Sequence, residues 1–544
     1  MAFTNQTLIF ESQAVESDTL LISKLEGEEQ VSGLFRFELE LLSPQLDLDL
    51  GAILAKPAKI GIKEQIDLGG GNSGWTTHWI SGELESFAQT RQGQGWTGYR
   101  AVLVPRLSVL RDTYRSRVFL DQCAPDILKR LLVDSGLAEG DDFDFSDSIK
   151  QALSGDPAGR ASYPEREYVV QFEESDFDFA SRWLEHEGVF YHFDNTDPDV
   201  EKVLFGDSLA SYKPLRGTSS YPFRPQGTAG GGDGSDELKS VITRLDCAVS
   251  RLPREVTLND YNWRTPDASM RCTAEVDPNG RGIHYEYNYH YKTTDQGQAL
   301  ATVVAQGLVA RSQVFSGAGT CRNMRAGYTF GLTDHAHSAY NQDYYLTRVR
   351  HSASQEISLE TASMSDSVYA CEFEAIPAAT PFRPEANTAW PAIRGVINGK
   401  IDGTEDGRYA ELDAQGRYKV ILPFDADGPD HEPGQASRYM RLATPYAGSE
   451  EGMSFPLRPG TEVLITHVDG DPDRPLIAGA VNNPNNPSLT DTSNQSQNLI
   501  QTSSGNAIRF QDEEGRQGIT LTTANGGVYH SYTQPGGMGS SEPG

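Results

Sequence analysis

The sequence predicts a mainly β protein with a few helices. Residues 1–119 largely alternate polar and apolar side chains, as in residues 35–41 (FRFELEL), which is the pattern of strands that bury one face. Short runs rich in β-branched and aromatic residues, punctuated by Gly, Pro and Asp, recur at 418–422, 461–468 and 475–481. These runs predict a small antiparallel barrel in the last third of the chain.

Two amphipathic or apolar segments predict helices outside that barrel. Residues 124–132 place Pro125 near an N-terminus and gather their apolar side chains on one side, and Gly136 follows as a stop. Residues 296–313 are rich in Ala, Leu and Val, and Gly297 is the last helix breaker before that run. We therefore expect a short helix early in the chain and a longer one near its middle.

Charge and cysteine content narrow the function classes. The 544 residues include 46 Lys and Arg against 76 Asp and Glu, a formal net charge of −30, which disfavours nucleic acid as a partner. The five cysteines are scattered without CxxC spacing, which disfavours a disulfide framework or a zinc site and favours a reducing cytosol. We find no signal-peptide pattern and no membrane-spanning run, so we expect a cytoplasmic protein that leaves the cell only if a machine carries it.

The last alternating segments predict self-association. Ile508 and Phe510 form one period-two face, and Ile519 and Leu521 form another about eleven residues later. These strands are too few and too polar to fold alone, and no intrachain partner is long enough to cover their apolar faces. We therefore expect several copies of the chain to cover one another there.

Linked motifs in the last third carry a family resemblance. They occur in one order at residues 416–420 (GRYKV), 423–425 (PFD), 441–448 (RLATPYAG), 455–465 (FPLRPGTEVLI) and 470–479 (GDPDRPLIAG). This series resembles the small barrel at the waist of type VI secretion spike proteins, the valine-glycine repeat protein G (VgrG) family. By that resemblance the RLATPYAG segment forms a strand of a five-stranded, OB-like barrel.

A second group of motifs lies about 250 residues upstream. Residues 168–193 (YVVQFEESDFDFASRWLEHEGVFYHF) predict a strand, a helix capped by Ser175 and stopped at Gly188, and a second strand. The ESDFDF helix running into GVFYHF is similar to a hallmark of phage tail-hub and VgrG proteins. Residues 260–266 (DYNWRTP) and 344–351 (YYLTRVRH) resemble further motifs of the same families.

The resemblance implies a structural spike of a contractile injection machine. It implies a homotrimer whose phage tail-hub-like end caps a hexameric inner tube, and whose needle is the start of an intertwined β-helix with a PAAR-type tip or an effector. Baseplate proteins are further expected partners, and the target membrane is met only during puncture, after delivery to the outside or into a target cell. The expected domains are a hub at 1–376, a proline-rich linker at 377–391, the barrel at 392–482, a linker at 483–498, the start of the needle at 499–530 and a flexible tail at 531–544. Residues 227–236 (GTAGGGDGSD) predict a flexible surface loop within the hub.

Two other functions stay open at this point. The first is the hub-spike of an extracellular contractile injection particle or a phage-like bacteriocin. The second is a GDSL-type serine esterase, because Gly206–Leu209 reads GDSL with Ser208 as the nucleophile, and residues 334–337 (DHAH) supply a D-x-x-H. Such esterases need a doubly wound α/β framework, whereas the surroundings here are β-rich, so we expect no enzymatic activity.

Other candidate sites have structural interpretations. Gly69, Gly71 and Gly74 fit G-x-G-x-x-G, but the next segment alternates like a strand, which predicts a hairpin loop rather than a cofactor site. His335 and His337 lack a third metal ligand nearby. The carboxylate pairs 141–142 and 173–174 are ordinary on an acidic surface, and in the 470–473 turn (GDPD) the carboxylates can bond nearby backbone amides. The sequence therefore predicts no catalytic, cofactor-binding or metal-binding residue.

Overall fold

A computed structural model gives the architecture. It describes residues 6–54, 56–69, 72–225, 240–359, 361, 363–365, 367–404, 407–428, 431–524, 530–533 and 538–539. The chain divides into two compact units, Met1–Pro391 and Ala392–Gly544, which we call the hub unit and the C-terminal unit. The loop predicted at 227–236 lies outside the described residues, as does most of the tail predicted at 531–544.

A thirteen-stranded sheet is the framework of the hub unit. Its N-terminal half lies in the order Leu8–Ser12, Ala58–Gly69, Asn72–Gly93, Trp96–Val104, Arg36–Ser43 and Leu21–Gln30. Its C-terminal half continues in the order Asp343–Ser354, Val368–Pro377, Gln313–Gly319 and Ile242–Val249, while Tyr328–Thr333 pairs with Asp343–Ser354, Lys213–Pro214 and Ser220–Pro222. The two halves join through antiparallel pairing of Leu21–Gln30 with Asp343–Ser354, where Glu28 lies opposite Arg350.

The predicted alternation explains which face of this sheet is buried. In the strand Arg36–Ser43, Phe37, Leu39 and Leu41 are buried, whereas Arg36 and Glu40 are exposed. The buried side chains of both halves belong to one large hydrophobic cluster. Each half therefore buries one face of its strands in a shared core.

Smaller sheets complete the hub unit. They comprise Phe190–Asp194 with Lys202–Gly206 and Phe143–Phe145, Tyr114–Phe119 with Val169–Ser175, Glu255–Asn259 with Cys272–Glu275 and Ile283–Tyr287, and Ile357–Ser358 with Ser363–Met364. The α-helices are Leu50–Leu54, Ala124–Asp134, Asp147–Leu153, Pro157–Ser162, Asp176–Glu187 and Thr294–Ala310. Short 3₁₀ segments lie at Arg106–Arg111, Leu209–Ser211, Ser338–Tyr340 and, in the C-terminal unit, Val468–Gly470.

The predicted helices are present, with one correction. Ala124–Asp134 has Pro125 in its first turn, and Gly136 follows it with φ of 82°, as predicted. The longer helix is Thr294–Ala310, so it begins two residues before and ends three residues before the predicted range 296–313. Gly297 lies inside this helix, at the point where the helix packs against the ring of Tyr291. A Cβ at this position would lie 2.6 Å from that ring, so glycine is what allows the close packing.

The small barrel in the C-terminal unit is less regular than its motifs predict. Its sheet has the order Val420–Ile421, Val396–Ile401, Glu462–His467 and Pro475–Ala480. The fifth predicted strand, 441–448, joins this sheet through a parallel bridge between Leu442 and Ile477 and forms no longer ladder with the described strands. Pro445 interrupts this segment because proline has no N–H to donate to a ladder.

The final segments form an antiparallel meander. Its strands are Gln497–Gln501, Ala507–Gln511, Gly518–Thr522, His530–Thr533 and Met538–Gly539, each paired with the next along the chain. Backbone groups of these strands therefore find partners within one chain. Among the described residues, no helix is both long and apolar enough to cross a membrane.

Candidate functional site

The ESDFDF segment joins the strand Val169–Ser175 to the helix Asp176–Glu187 in the hub unit. The Ser175 hydroxyl accepts a hydrogen bond from the Asp178 N–H at 3.0 Å, so it caps the Asp176–Glu187 helix as predicted. Glu174 receives three hydrogen bonds from the buried Arg182 guanidinium, at 3.2, 3.0 and 2.8 Å. Gly188 ends the helix with φ of 71°. The motif is thus a structural element whose serine caps the helix and whose Glu174 carboxylate forms a buried ion pair.

Asp176 anchors this helix to the neighbouring strands. Its buried carboxylate accepts a hydrogen bond from the Gln171 side-chain amide at 2.7 Å. It also lies 3.2 Å from a guanidinium nitrogen of Arg115 and 3.6 Å from one of Arg117. A buried carboxylate is stable only with such partners, so these contacts fix where the helix begins.

The proline-rich segment after Pro377 runs along the hub unit without regular structure. The Thr388 N–H and hydroxyl donate to the Glu185 carboxylate at 2.9 and 2.7 Å. Arg383 donates to the Gly188 carbonyl at 2.8 Å. The predicted linker at 377–391 is therefore held by the motif helix and its cap.

Aromatic rings secure the end of the same segment. The Trp390 ring lies edge-on to Trp183 with centroids 5.0 Å apart, and stacks with His290 at 4.4 Å. The Arg182 guanidinium lies 4.5 Å from the Trp390 ring centroid, and Arg166 lies 4.3 Å from that of Trp183. Cation–π and edge-to-face contacts of this kind add stability beyond the buried area.

A buried carboxylate and a buried imidazole of the hub have displaced pKa values. Burial would raise the pKa of Glu187, but Arg166 and His186 outweigh that effect and lower the pKa to about 2. Burial lowers the pKa of His192 to about 4, so this imidazole is neutral at physiological pH. Among the residues that the structure describes, no nucleophile is hydrogen-bonded to either group, so both displacements are features of the packed core.

The solvent face of the large sheet carries charges that neutralise one another. Glu28 lies 3.0 Å from Arg348 and 3.1 Å from Arg350, across the join of the two halves. Arg348 also lies 3.8 Å from Glu374, and Arg100 pairs with Glu38 on the N-terminal half. This face is therefore locally balanced, although the chain as a whole has a charge of −30.

The meander of the C-terminal unit exposes one apolar face. Ile508 lies opposite both Ile500 and Leu521, and Phe510 lies opposite Ile519. Phe510, Ile519 and Leu521 are each about two-fifths exposed, at 39%, 41% and 39%. The four residues predicted to form apolar faces thus come together on a single surface, which the chain leaves open to solvent.

The GDSL motif does not form a triad. Asp207 accepts hydrogen bonds from the hydroxyls of Ser146, Ser148 and Tyr163, at 3.1, 2.5 and 2.9 Å. Ser208 is exposed and its hydroxyl bonds to no histidine among the described residues. The predicted partners belong to another loop, where Asp334 lies 2.8 Å from Arg224 and the ring of His335 packs on Phe223. The esterase interpretation therefore has no support.

The remaining candidate residues have local structural partners. Strands Ala58–Gly69 and Asn72–Gly93 pair as the predicted hairpin, and Gly71 lies outside the described residues. The His337 N–H donates to Nδ1 of His335, and neither histidine joins a group of three possible metal ligands among the described residues. In the 470–473 turn, the Asp473 N–H donates to the Asp471 carboxylate at 2.9 Å, as predicted.

Comparisons with known proteins agree with this architecture. Residues 28–357 match the phage tail baseplate hub (GPD) family, and residues 413–481 match the type VI secretion system/phage-baseplate injector OB domain. The Pseudomonas aeruginosa type VI secretion system spike protein VgrG1c is 27% identical over 534 residues, covering 96% of this chain and 69% of that protein. The Vibrio cholerae actin cross-linking toxin VgrG1 is 27% identical over 531 residues, covering 94% of this chain but only 45% of the toxin.

Solved structures show the same fold at low sequence identity. An E. coli type VI secretion component, described as similar to the T4 bacteriophage tail proteins gp27 and gp5, superposes with a TM-score of 0.59 at 21% identity, covering 87% of this chain and 99% of that one. The Francisella PdpA-VgrG complex in its half-lidded form gives a TM-score of 0.60 at 12% identity, covering 96% of this chain and 85% of that one.

The hub sheet, the motif helix and the OB domain define a structural hub and spike of a contractile injection machine. The chain belongs to the VgrG family of type VI secretion spike proteins, within the phage tail baseplate hubs. The sequence resemblance is thereby confirmed. The toxin relative extends well beyond the region that matches this chain, since the match covers 45% of the toxin.

Proposed function

We propose that this chain works as a homotrimeric spike. The hub unit caps a hexameric inner tube and contacts the baseplate, and the C-terminal unit leads into a needle that carries a PAAR-type tip or an effector. Contraction of the machine then drives the trimer through a target envelope. In this account the protein acts mechanically, stays in the cytoplasm until it is assembled, and has no catalytic, cofactor-binding or metal-binding residue.

One observation carries the homotrimer, namely the apolar face of the meander. Its isoleucine, leucine and phenylalanine side chains are aligned across neighbouring strands yet remain partly exposed. Burying a large apolar side chain contributes about 1.5–3 kcal/mol, so a sheet with such a face associates rather than staying in water. Three copies that turn this face toward a common axis cover it completely, whereas the backbone amides are already paired within each chain.

The large hub sheet supports the contact with a hexameric tube. Its N-terminal and C-terminal halves are joined edge to edge in one continuous sheet, so a single chain offers two strand-rich segments side by side. Three chains then present six such segments, which matches a sixfold partner. The balanced charges on the solvent face suit a surface that must avoid unspecific adhesion.

Effector or tip binding rests on the relatives. One VgrG has been solved as a complex with PdpA, and another is named as an actin cross-linking toxin. Both names support a carrier role for the family core. We propose the same role for this chain, with cargo bound at or beyond the C-terminal unit.

An assembly experiment tests this function. The purified chain is mixed with the hexameric inner-tube protein of the same system and imaged by electron microscopy. We expect tubes capped at one end and nucleated by the added chain. Tubes that form at the same rate and stay uncapped contradict the proposal. In parallel, ester hydrolysis is compared with that of Ser208→Ala, and activity abolished by this substitution contradicts the absence of catalysis.

A further inference from the structure

A polar pocket of 320 Å³ lies beside the small hub sheet that contains the strand Phe190–Asp194. One of its walls follows the strand register, because His192 lies opposite Leu204, and Leu204 lies opposite Asp144. Residues directly opposite one another on paired strands stand on the same face of a sheet. Residues of the loop 208–213 line another side of the pocket, so it brings together segments from three parts of the chain.

The imidazole of His192 is buried in this wall without a hydrogen-bond partner. His192 is 3% exposed, and neither its Nδ1 nor its Nε2 bonds to a described residue. Its ring packs edge-on against Tyr328 with centroids 5.2 Å apart, so packing holds the ring in place. A buried polar atom without a partner is costly unless a bound molecule supplies one.

A serine on a different element has the same property. The Oγ of Ser211 is buried and has no hydrogen-bond partner among the described residues, and Ser211 lines the same pocket. A Cβ at Gly206 would lie 2.6 Å from Cβ of Ser211, so this glycine lets the serine come close to the strand. Two buried side chains without partners, His192 and Ser211, therefore line one pocket.

The charged groups around the pocket balance one another. Asp144 pairs with Lys150 at 2.7 Å. Asp147 and Lys213 are both exposed, and they contribute one charge of each sign to the lining. The imidazole of His192 is neutral at physiological pH, because burial lowers its pKa to about 4. Burying an unpaired charge next to such groups is costly, which favours a neutral ligand.

We propose that this pocket binds a neutral, hydroxyl-rich ligand of the size of one sugar ring. Neither the homotrimer nor tube capping requires such a site. A neutral imidazole has one donor and one acceptor nitrogen, and a serine hydroxyl can donate or accept. Sugar hydroxyls suit both, because each of them also donates and accepts. The volume lies within the range of small-molecule pockets.

Two further serines of the lining add acceptors. The hydroxyls of Ser146 and Ser148 donate to the Asp207 carboxylate at 3.1 and 2.5 Å, so their oxygens can still accept hydrogen bonds from a ligand. A metal ion is a poorer match for the pocket, because His192 belongs to no group of three possible metal ligands among the described residues.

Sugar binding to the full chain tests this proposal. The neutral probes are glucose, galactose and mannose, titrated by saturation-transfer difference NMR, which detects weak ligands. Glucuronate and glucosamine carry a negative and a positive charge on a similar ring. We expect at least one neutral sugar to bind, and to bind more tightly than either charged one. Absence of binding by all the neutral sugars overturns the proposal, and tighter binding of a charged sugar overturns it in favour of a charged ligand.

Matched serine variants locate the bound sugar. Ser211→Ala removes one hydroxyl of the pocket and should weaken binding about tenfold. Ser135→Ala is the control, because the Ser135 Oγ is also buried without a partner among the described residues but does not line this pocket. Binding to this variant should match that of the unmodified chain. Equal losses in both variants, or a loss in neither, overturn the placement.

His192 has a test of its own. His192→Phe keeps an aromatic ring beside Tyr328 but removes both nitrogens, so it should abolish binding, with circular dichroism as the check of folding. His192→Gln restores a donor and an acceptor and should recover part of the binding. A crystal soaked in the bound sugar should show it within hydrogen-bond distance of His192 and Ser211. A sugar bound elsewhere, or ordered water alone beside His192, overturns the proposal even if His192→Phe does not fold.

Discussion

Trp390 packs edge-on against Trp183, with ring centroids 5.0 Å apart and the Arg182 guanidinium 4.5 Å from the Trp390 centroid. This contact ties the last residues of the hub unit to the ESDFDF helix, whose Arg182 is itself held by Glu174. The helix that the ESDFDF motif predicts therefore also stabilises the C-terminal end of the hub unit.

Removing this ring should weaken the hub unit. Trp390→Ala loses the contacts with Trp183 and His290 and the cation–π contact, which we expect to cost about 2–3 kcal/mol of unfolding free energy. Trp75→Ala is the control because Trp75 is 52% exposed. Urea unfolding followed by circular dichroism compares the two. A loss no larger for Trp390→Ala than for Trp75→Ala would show that the aromatic cluster adds nothing to stability.

Two adjacent glutamates should differ sharply in their effect on stability. Glu174→Ala leaves the Arg182 guanidinium buried without its carboxylate, which we expect to cost about 3–5 kcal/mol. Glu173 is its exposed neighbour in the sequence, so Glu173→Ala should change the unfolding free energy by less than about 0.5 kcal/mol. Thermal unfolding of both variants measures the difference. Similar melting temperatures would contradict a structural role for the ion pair.

Alanine substitutions at two helix-ending glycines should distinguish the cost of backbone strain from the cost of steric overlap. Gly136 and Gly188 both have positive φ, at 82° and 71°, so alanine strains the backbone at either position. A Cβ at Gly136 would have nothing within 4 Å, whereas one at Gly188 would lie 2.4 Å from Cγ1 of Val303. Gly136→Ala should cost about 1 kcal/mol, and Gly188→Ala about 1–3 kcal/mol more. Equal costs in urea unfolding would mean that the neighbouring helix yields without penalty.

Glu201 should make the stability of the hub depend on pH. Glu201 is buried, and burial raises its pKa to about 8 in the folded chain, so between about pH 4.5 and 8 the folded state holds a proton that the unfolded state has lost. Stability therefore falls as pH rises through this window, by at most about 1.4 kcal/mol per pH unit. Glu201→Gln removes this dependence, so its advantage over the unmodified chain should grow from pH 5 to pH 8. Glu16→Gln is the exposed control, and an advantage that stays constant with pH would refute the assignment.

Local signals in the sequence were sufficient for much of the hub. The capping serine, the acidic first turn and the terminal glycine place the strand, helix and strand of residues 168–193 correctly, because each signal acts within a few residues. The composition of residues 296–313 placed the longer helix but not its ends, and it did not reveal that Gly297 packs closely against Tyr291. The family motifs predicted a full strand at 441–448, whereas the structure has a single bridge there. Pro445 has no N–H to donate to a strand ladder, and the motif match does not take this into account.

Long-range features lay beyond sequence reasoning. One cleft of the hub unit, for example, gathers acidic side chains from residue 11 to residue 202, and no pattern along the chain connects them. The contacts that hold the proline-rich segment are also distant, since Thr388 meets Glu185 about two hundred residues earlier. By contrast, the apolar face of the meander was predictable from period-two alternation, although its pairing within one chain was not.

The homotrimer is the central claim, and sedimentation across a dilution series tests it most directly. The unmodified chain should sediment at about three times 59.6 kDa at micromolar concentration. Phe510→Asp places a carboxylate on the apolar face and should shift the equilibrium strongly toward monomer, because three such groups would meet in a desolvated interior. Thr520→Asp adds the same charge on the opposite face of the meander and should leave the trimer intact. A monomer at every concentration, or a trimer equally stable in Phe510→Asp, would contradict the account.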